Sequence, residues 1–193
     1  MLQEHTLIKF YRSCIFKRDL DEISQAAERA YRDMCRTIRF PKNIVQTKKS
    51  DLEKLGFETI KAEINDMALC SQNEYDAWVI STSDKLQTLY QKHGVELTLG
   101  HTQKWINMTM KYLLCFDNQK ARGIEHLLHV PIDTYVVEEA KKLVPTAGLL
   151  PWSKIESANL YTAFQNNLRT AILEKQLAET PIIWEFNAWS GHK

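Results

Sequence analysis

The stretch Thr98-Leu99-Gly100-His101-Thr102-Gln103-Lys104-Trp105-Ile106-Asn107-Met108-Thr109-Met110-Lys111-Tyr112-Leu113-Leu114-Cys115-Phe116 decides the fold class. Its pattern predicts a helix that is apolar around most of its circumference. Such a helix needs apolar neighbours on nearly every side and so belongs in the middle of a protein. The flanking sequence carries further helix signals, and no stretch shows the sustained alternation with β-branched enrichment that marks strands. The expectation is an all-α domain over residues 1–193, either undivided or in two lobes with a central lobe at about residues 50–130.

Upstream, a helix is expected from about Asp19 to Arg39, with Asp19, Asp21 and Glu22 in the first turn and Phe40-Pro41 ending it. At about 100° per residue, Ile23, Ala27, Ala30, Tyr31, Met34 and Ile38 share one face. Arg29, Arg32, Arg36 and Arg39 cluster on the opposite face and are candidate nucleic-acid contacts. The same stripe also reads as a solvated face whose arginines pair with local acids. Ser50 and Asp51 resemble a cap for a helix containing Leu52, Leu55, Ile60, Ile64 and Met67. Asn73 resembles a cap for the next helix, which carries Tyr75, Trp78, Val79, Leu86, Leu89 and Tyr90 and stops at Gly94. Downstream helices are expected from near Asp133, from about Ser157 to Leu177, and around Trp184 to Trp189, with Pro131, Pro145, Pro151 and Pro181 at the joints.

The composition, 44% hydrophobic and 25% charged, suits a chain that buries a sizeable core. No apolar run approaches the ~18 residues of a membrane span. The opening residues Met1 to His5 lack a secretory pattern, so an intracellular, cytoplasmic protein without a membrane partner is expected. Cys14, Cys35, Cys70 and Cys115 form no CxxC pair, and the histidines lack the i, i+4 pairing that puts two ligands on one helical face, so no metal site is expected. The net charge of +1 conceals an asymmetry: residues 1–50 carry eleven Lys or Arg against six Asp or Glu, and the rest carry 14 against 18. An anion-binding surface should therefore lean on the first fifty residues.

On the central helix Lys104 and Lys111 are seven residues apart and project within about 20° of one another, with Met108 and Cys115 on the same face. Burial disfavours the ammonium form of a lysine and favours a neutral amine that can attack an electrophilic carbon. A half-buried helix whose lysines snorkel to solvent gives the same pattern. Further on, Leu128-His129-Val130-Pro131-Ile132-Asp133-Thr134-Tyr135 places Asp133 at a helix amino terminus, where backbone N–H groups favour a carboxylate. A plain N-cap accounts for Asp133 equally well.

Together Gly100, His101, Thr102, Gln103 and Lys104, followed by Pro131, Ile132 and Asp133, resemble the helix-hairpin-helix superfamily of DNA glycosylases, most closely its 8-oxoguanine branch, including the archaeal type. The resemblance covers about forty residues, from Val95 to Tyr135. Where the family hairpin carries Gly-x-Gly, this chain has Gly94 and Gly100 separated by Val95 to Leu99. The resemblance implies a two-lobed helical fold in which Lys104 attacks the sugar C1′ of a modified purine nucleotide and forms a Schiff base that permits strand cleavage. It implies that Asp133 stabilises the oxocarbenium-like sugar, that the target nucleotide is flipped out of the stack, and that neither metal nor organic cofactor is needed. DNA is the implied partner, with Gly100 and His101 near its phosphates. Gln103, Lys111, Trp152, Phe164 and Gln165 are candidate substrate contacts, although Phe164 shares helical spacing with Leu160 and Leu168 and also reads as core.

The alternative is a noncatalytic or divergent interaction module of the same fold, of the kind found in bacterial antiviral systems. Its apolar tail, Pro181, Ile182, Ile183, Trp184, Phe186 and Trp189, would dock a protein partner or a second copy, or else complete the domain's own core.

Overall fold

A computed structural model describes residues 4–16, 20–68 and 70–191, and the described residues form helices and no strands. The chain is all-α. Among the described residues nine α-helices follow in order: α1 (Glu4–Ile15), α2 (Glu22–Met34), α3 (Gln46–Asp66), α4 (Gln72–Gln91), α5 (Leu99–Cys115), α6 (Gln119–Gly123), α7 (Thr134–Ala140), α8 (Ala158–Glu174) and α9 (Pro181–Ser190). No helix among the described residues is long and apolar enough to cross a membrane.

The central segment forms α5 with the ends its sequence dictates. Thr98 is the N-cap: its hydroxyl accepts from the His101 amide while the His101 ring accepts from the Thr98 amide, a reciprocal box that satisfies two otherwise orphaned donors. Fourteen of the seventeen residues of α5 are buried. α5 packs most extensively on α2 and then on α4. At its centre Trp105 is fully enclosed and donates its indole N–H to the Ala27 carbonyl at 3.0 Å. Gly56 of α3 makes room for it, since a Cβ there would stand 2.1 Å from the Trp105 ring.

α2 buries Ala27, Ala30, Tyr31 and Met34 as its periodicity requires. It ends at Met34, earlier than the sequence suggests, and a 3-10 turn over Cys35–Thr37 carries the chain into extended Ile38. Phe40-Pro41 disfavours helical geometry just ahead of the proline, and the Thr37 hydroxyl caps the Met34 carbonyl at 3.1 Å. Asp21 is the N-cap of this helix, whereas Asp19, read as part of its first turn, lies outside the described residues.

Two other starts differ from the sequence reading. α3 begins at Gln46 rather than at a Ser50-Asp51 cap, and Ser71, not Asn73, caps α4 by accepting from the Glu74 amide. Gly94 ends the α4 turn at φ 72°, a left-handed conformation that glycine adopts without Cβ cost. α1 was not evident from the sequence; Ile8, Phe10, Tyr11 and Ile15 on it are exposed, so it lacks the clean apolar stripe of a core helix.

Candidate functional site

Lys104 and Asp133 come together. The Lys104 amine lies 3.2 Å from Asp133 Oδ2 and 4.5 Å from the centre of the Trp152 ring. Asp133 does cap its helix, with Oδ1 accepting from the Val136 amide at 3.0 Å. One oxygen is thus structural, and the other faces the amine.

Two cavities, of about 330 and 350 Å³, meet at this pair. Asp33 and Arg36 from the end of α2 border both. The first cavity runs along Tyr135 and Trp152, and the second along Met108, Lys111, Tyr112 and Trp189. Both fall in the size range of small-molecule pockets. In the second, Asp33 is fixed from two sides, by Arg29 at 2.7 Å and by the Tyr112 hydroxyl at 2.5 Å. Burial and this carboxylate push the Tyr112 pKa up, so the phenol stays a donor.

The segment that delivers Asp133 is stapled to the core by buried amides. Gln103 accepts from the Ile132 amide at 3.0 Å and donates to the Ile132 carbonyl at 2.9 Å. Gln165 makes the equivalent pair with Val130, at 3.1 and 2.8 Å. A buried amide that satisfies both ends of a peptide unit pins an irregular strap as a sheet partner would. Gln103 and Gln165 were candidate substrate contacts; the structure gives them this bracing role instead, because neither amide reaches a cavity. Phe164 is 3% exposed and belongs to the core. These three corrections share one cause: α5 and α8 bury the faces that carry them.

Behind the strap runs a polar chain that sequence reasoning missed. Asn107 donates to Gln103 at 3.2 Å and to the Tyr161 oxygen at 2.9 Å. Tyr161 lies 2.7 Å from His129 Nδ1, and His129 Nε2 lies 2.8 Å from Asp76. Burial holds the His129 pKa below the usual imidazole value, with Asp76 offsetting part of the effect. The neutral ring then donates from Nε2 to Asp76 and accepts the tyrosine proton at Nδ1. The available signal was Gln103 and Asn107, two amides four residues apart on an otherwise apolar helix.

Lys111 also borders the second cavity, but its amine lies 2.7 and 2.6 Å from the two oxygens of Glu185, with the Phe186 ring centre at 4.8 Å. Glu185 is 1% exposed, and burial raises its pKa against the lowering effect of Lys111. Trp152 lines the first cavity beside the Lys104 amine. The arginine stripe divides. Arg29 and Arg36 reach the cavities, Arg39 lines a neighbouring groove, and Arg32 pairs with Glu28 at 2.7 Å.

Gly100, expected near phosphate, serves close packing: its amide donates to the Ile155 carbonyl at 2.8 Å, and a Cβ would stand 1.9 Å from the Trp152 carbonyl oxygen. Its N–H is therefore spent inside the fold. Most of the tail likewise turns inward, with Pro181 and Ile182 buried and Ile183, Trp184 and Phe186 packed on the core, whereas Trp189 is exposed, its ring tilted against Tyr135 with centres 4.5 Å apart. No family model matches the chain, and no curated protein or solved structure matches it.

Proposed function

We propose that this protein is a lysine-dependent N-glycosylase and lyase acting on a modified purine, of the 8-oxoguanine kind, in DNA. The observation that carries the reading is the Lys104 amine 3.2 Å from a carboxylate at the junction of two cavities. Nucleophile and proton acceptor in hydrogen-bond reach, with space for a reacting atom beside them, is the arrangement that amine-based covalent catalysis requires.

In this reading Asp133 takes a proton from the Lys104 ammonium. The freed nitrogen lone pair forms a bond to the sugar C1′ as the glycosidic bond breaks, and the bonding pair leaves with the base, which takes up a proton. Ring opening, with the lysine nitrogen's proton passing to the ring oxygen, converts the N,O-acetal at C1′ to an imine; loss of the C2′ proton to a base then expels the 3′ phosphate by β-elimination and cleaves the strand. The Asp133 carboxylate also stabilises positive charge on the sugar as the bond breaks. A flipped base fits the cavity lined by Met108, Tyr112 and Trp189, where ring faces and the fixed Asp33 carboxylate supply stacking and a hydrogen-bond acceptor.

The test is reductive trapping. With borohydride and an oligonucleotide bearing 8-oxoguanine or an abasic site, the protein is expected to form a covalent adduct stable in denaturing gels, and Lys104→Gln is expected to form none. Failure of the wild-type chain to trap on either oligonucleotide contradicts the proposal.

A further inference from the structure

A cavity of about 880 Å³ adjoins the Lys104 cleft and shares Arg36 and Thr37 with it. Its charged lining is Arg36, Arg39 and Lys154 against the single carboxylate Glu96. All four side chains are exposed, and among the described residues the three cations form no ion pair. Elsewhere on α2 the cations are neutralised, Arg29 by Asp33 and Arg32 by Glu28. Of the four arginines between residues 29 and 39, Arg36 and Arg39 in this groove are the two without a carboxylate partner among the described residues.

A second feature points to the same place. His101 lines the groove, is 6% exposed, and has a buried Nε2 without a hydrogen-bond partner. Its Nδ1 accepts the Thr98 amide proton at 3.1 Å, and burial keeps its pKa below the usual imidazole value, the Thr37 carbonyl offsetting part of that. The neutral ring then carries its hydrogen on Nε2, which meets no acceptor at hydrogen-bond geometry among the described residues. A buried donor left unmade is costly, and an anionic oxygen in the groove would satisfy it.

We infer that this groove, built on Arg36, Arg39, Lys154 and His101, holds phosphodiester groups of the nucleic-acid strand flanking the nucleotide at Lys104. At the amino end of α5 the Gly100 and His101 N–H groups are already bonded to Ile155 and Thr98. Side chains take over the task. The 3-10 turn that ends α2 and the 3-10 turn Trp152–Lys154 form the opposing walls. Trp152 faces the cleft and Lys154 the groove, so a strand leaving the cleft past Trp152 enters between the cations.

This inference rests on the glycosylase reading for its cleft but has its own readout. Binding of a fluorescein-labelled single-stranded oligodeoxynucleotide is measured by anisotropy between about 50 and 200 mM salt, the range over which phosphate contacts set the slope. Each contact to a single strand contributes about 0.7 to the slope of log K against log salt. Arg39→Gln with Lys154→Gln is expected to reduce the slope by about 1 to 1.5 and to weaken binding at least about tenfold. Arg32→Gln is expected to leave both unchanged, and Lys104→Gln is expected to retain the slope.

A double variant with the wild-type slope overturns the groove, even if wild-type adduct forms. A reduced slope without any adduct supports the groove and removes the Lys104 chemistry instead. If inorganic phosphate displaces the oligonucleotide as well as an unlabelled strand does at equal phosphate concentration, the site is an ion pocket and the strand inference fails. Because both substituted residues are exposed, circular dichroism is expected to report an unchanged fold.

Discussion

Lys104 and Lys111 lie on one face of α5, each beside a carboxylate and each over an aromatic ring, yet they are held in different ways. The Lys111 amine touches both oxygens of Glu185, at 2.7 and 2.6 Å, and that carboxylate is 1% exposed. The Lys104 amine has one carboxylate contact, at 3.2 Å, to an oxygen whose twin is occupied by the Val136 amide. Lys111 thus neutralises a buried charge, and removing it strands that charge. Lys104 sits where two cavities meet, beside a partly exposed carboxylate. Equal spacing on a helix put both amines on one strip; the burial of their partners separates them, and the proposed chemistry assigns the reactive role to Lys104.

The largest expected effect is on adduct formation. Lys104→Gln is expected to abolish trapping, whereas Lys111→Gln retains it under conditions where that variant is folded; trapping lost only with Lys111 would reverse the assignment. Next, Asp133→Asn keeps an oxygen for the Val136 amide and removes the charge. Single-turnover adduct formation is expected to slow about 100-fold or more, the usual contribution of a positioned acid or base. The melting temperature should change little, because asparagine is as good an N-cap as aspartate.

Stability inverts the order of the two lysines. Lys111→Gln is expected to cost about 3 kcal/mol in urea unfolding, the scale for leaving one partner of a buried ion pair alone. Lys104→Gln should cost about 1 kcal/mol, since Asp133 keeps its backbone donor and the adjoining cavities admit water. Equal losses would erase the distinction.

Beneath both pairs, the polar chain through His129 makes stability pH-dependent. His129 and His101 are held below the usual imidazole pKa of 6.5 by burial. Below that pH the unfolded chain binds protons that the folded chain refuses, so stability falls as pH drops from about 6.5 through the folded values. Thermal melts should show this decline, and His129→Asn should flatten part of it. A profile unchanged by that substitution would mean that His129 binds its proton equally in the folded and unfolded chains.

The sequence made α5 legible because its apolar positions run around more than one face; the Thr98 cap that fixes its start emerged only in the structure. Asp133 was legible as a cap through Pro131 and the apolar positions that follow it. The pairing of Lys104 with Asp133 depended on a strap between them whose course spacing does not specify. Gln103 and Gln165 misled because an amide on a buried helix serves a ligand or a backbone equally well, and only the path of residues 130–132 decides. The 3-10 turn at Cys35–Thr37 was hidden by the arginine periodicity continuing past the true helix end, and that turn carries Arg36 toward the cleft and Arg39 into the groove.

The most direct test is to locate the covalent bond. After borohydride trapping on an abasic oligonucleotide, nuclease and protease digestion followed by tandem mass spectrometry is expected to place the reduced sugar remnant on Lys104. A remnant on Lys111, on another amine, or on no residue at all would contradict the account.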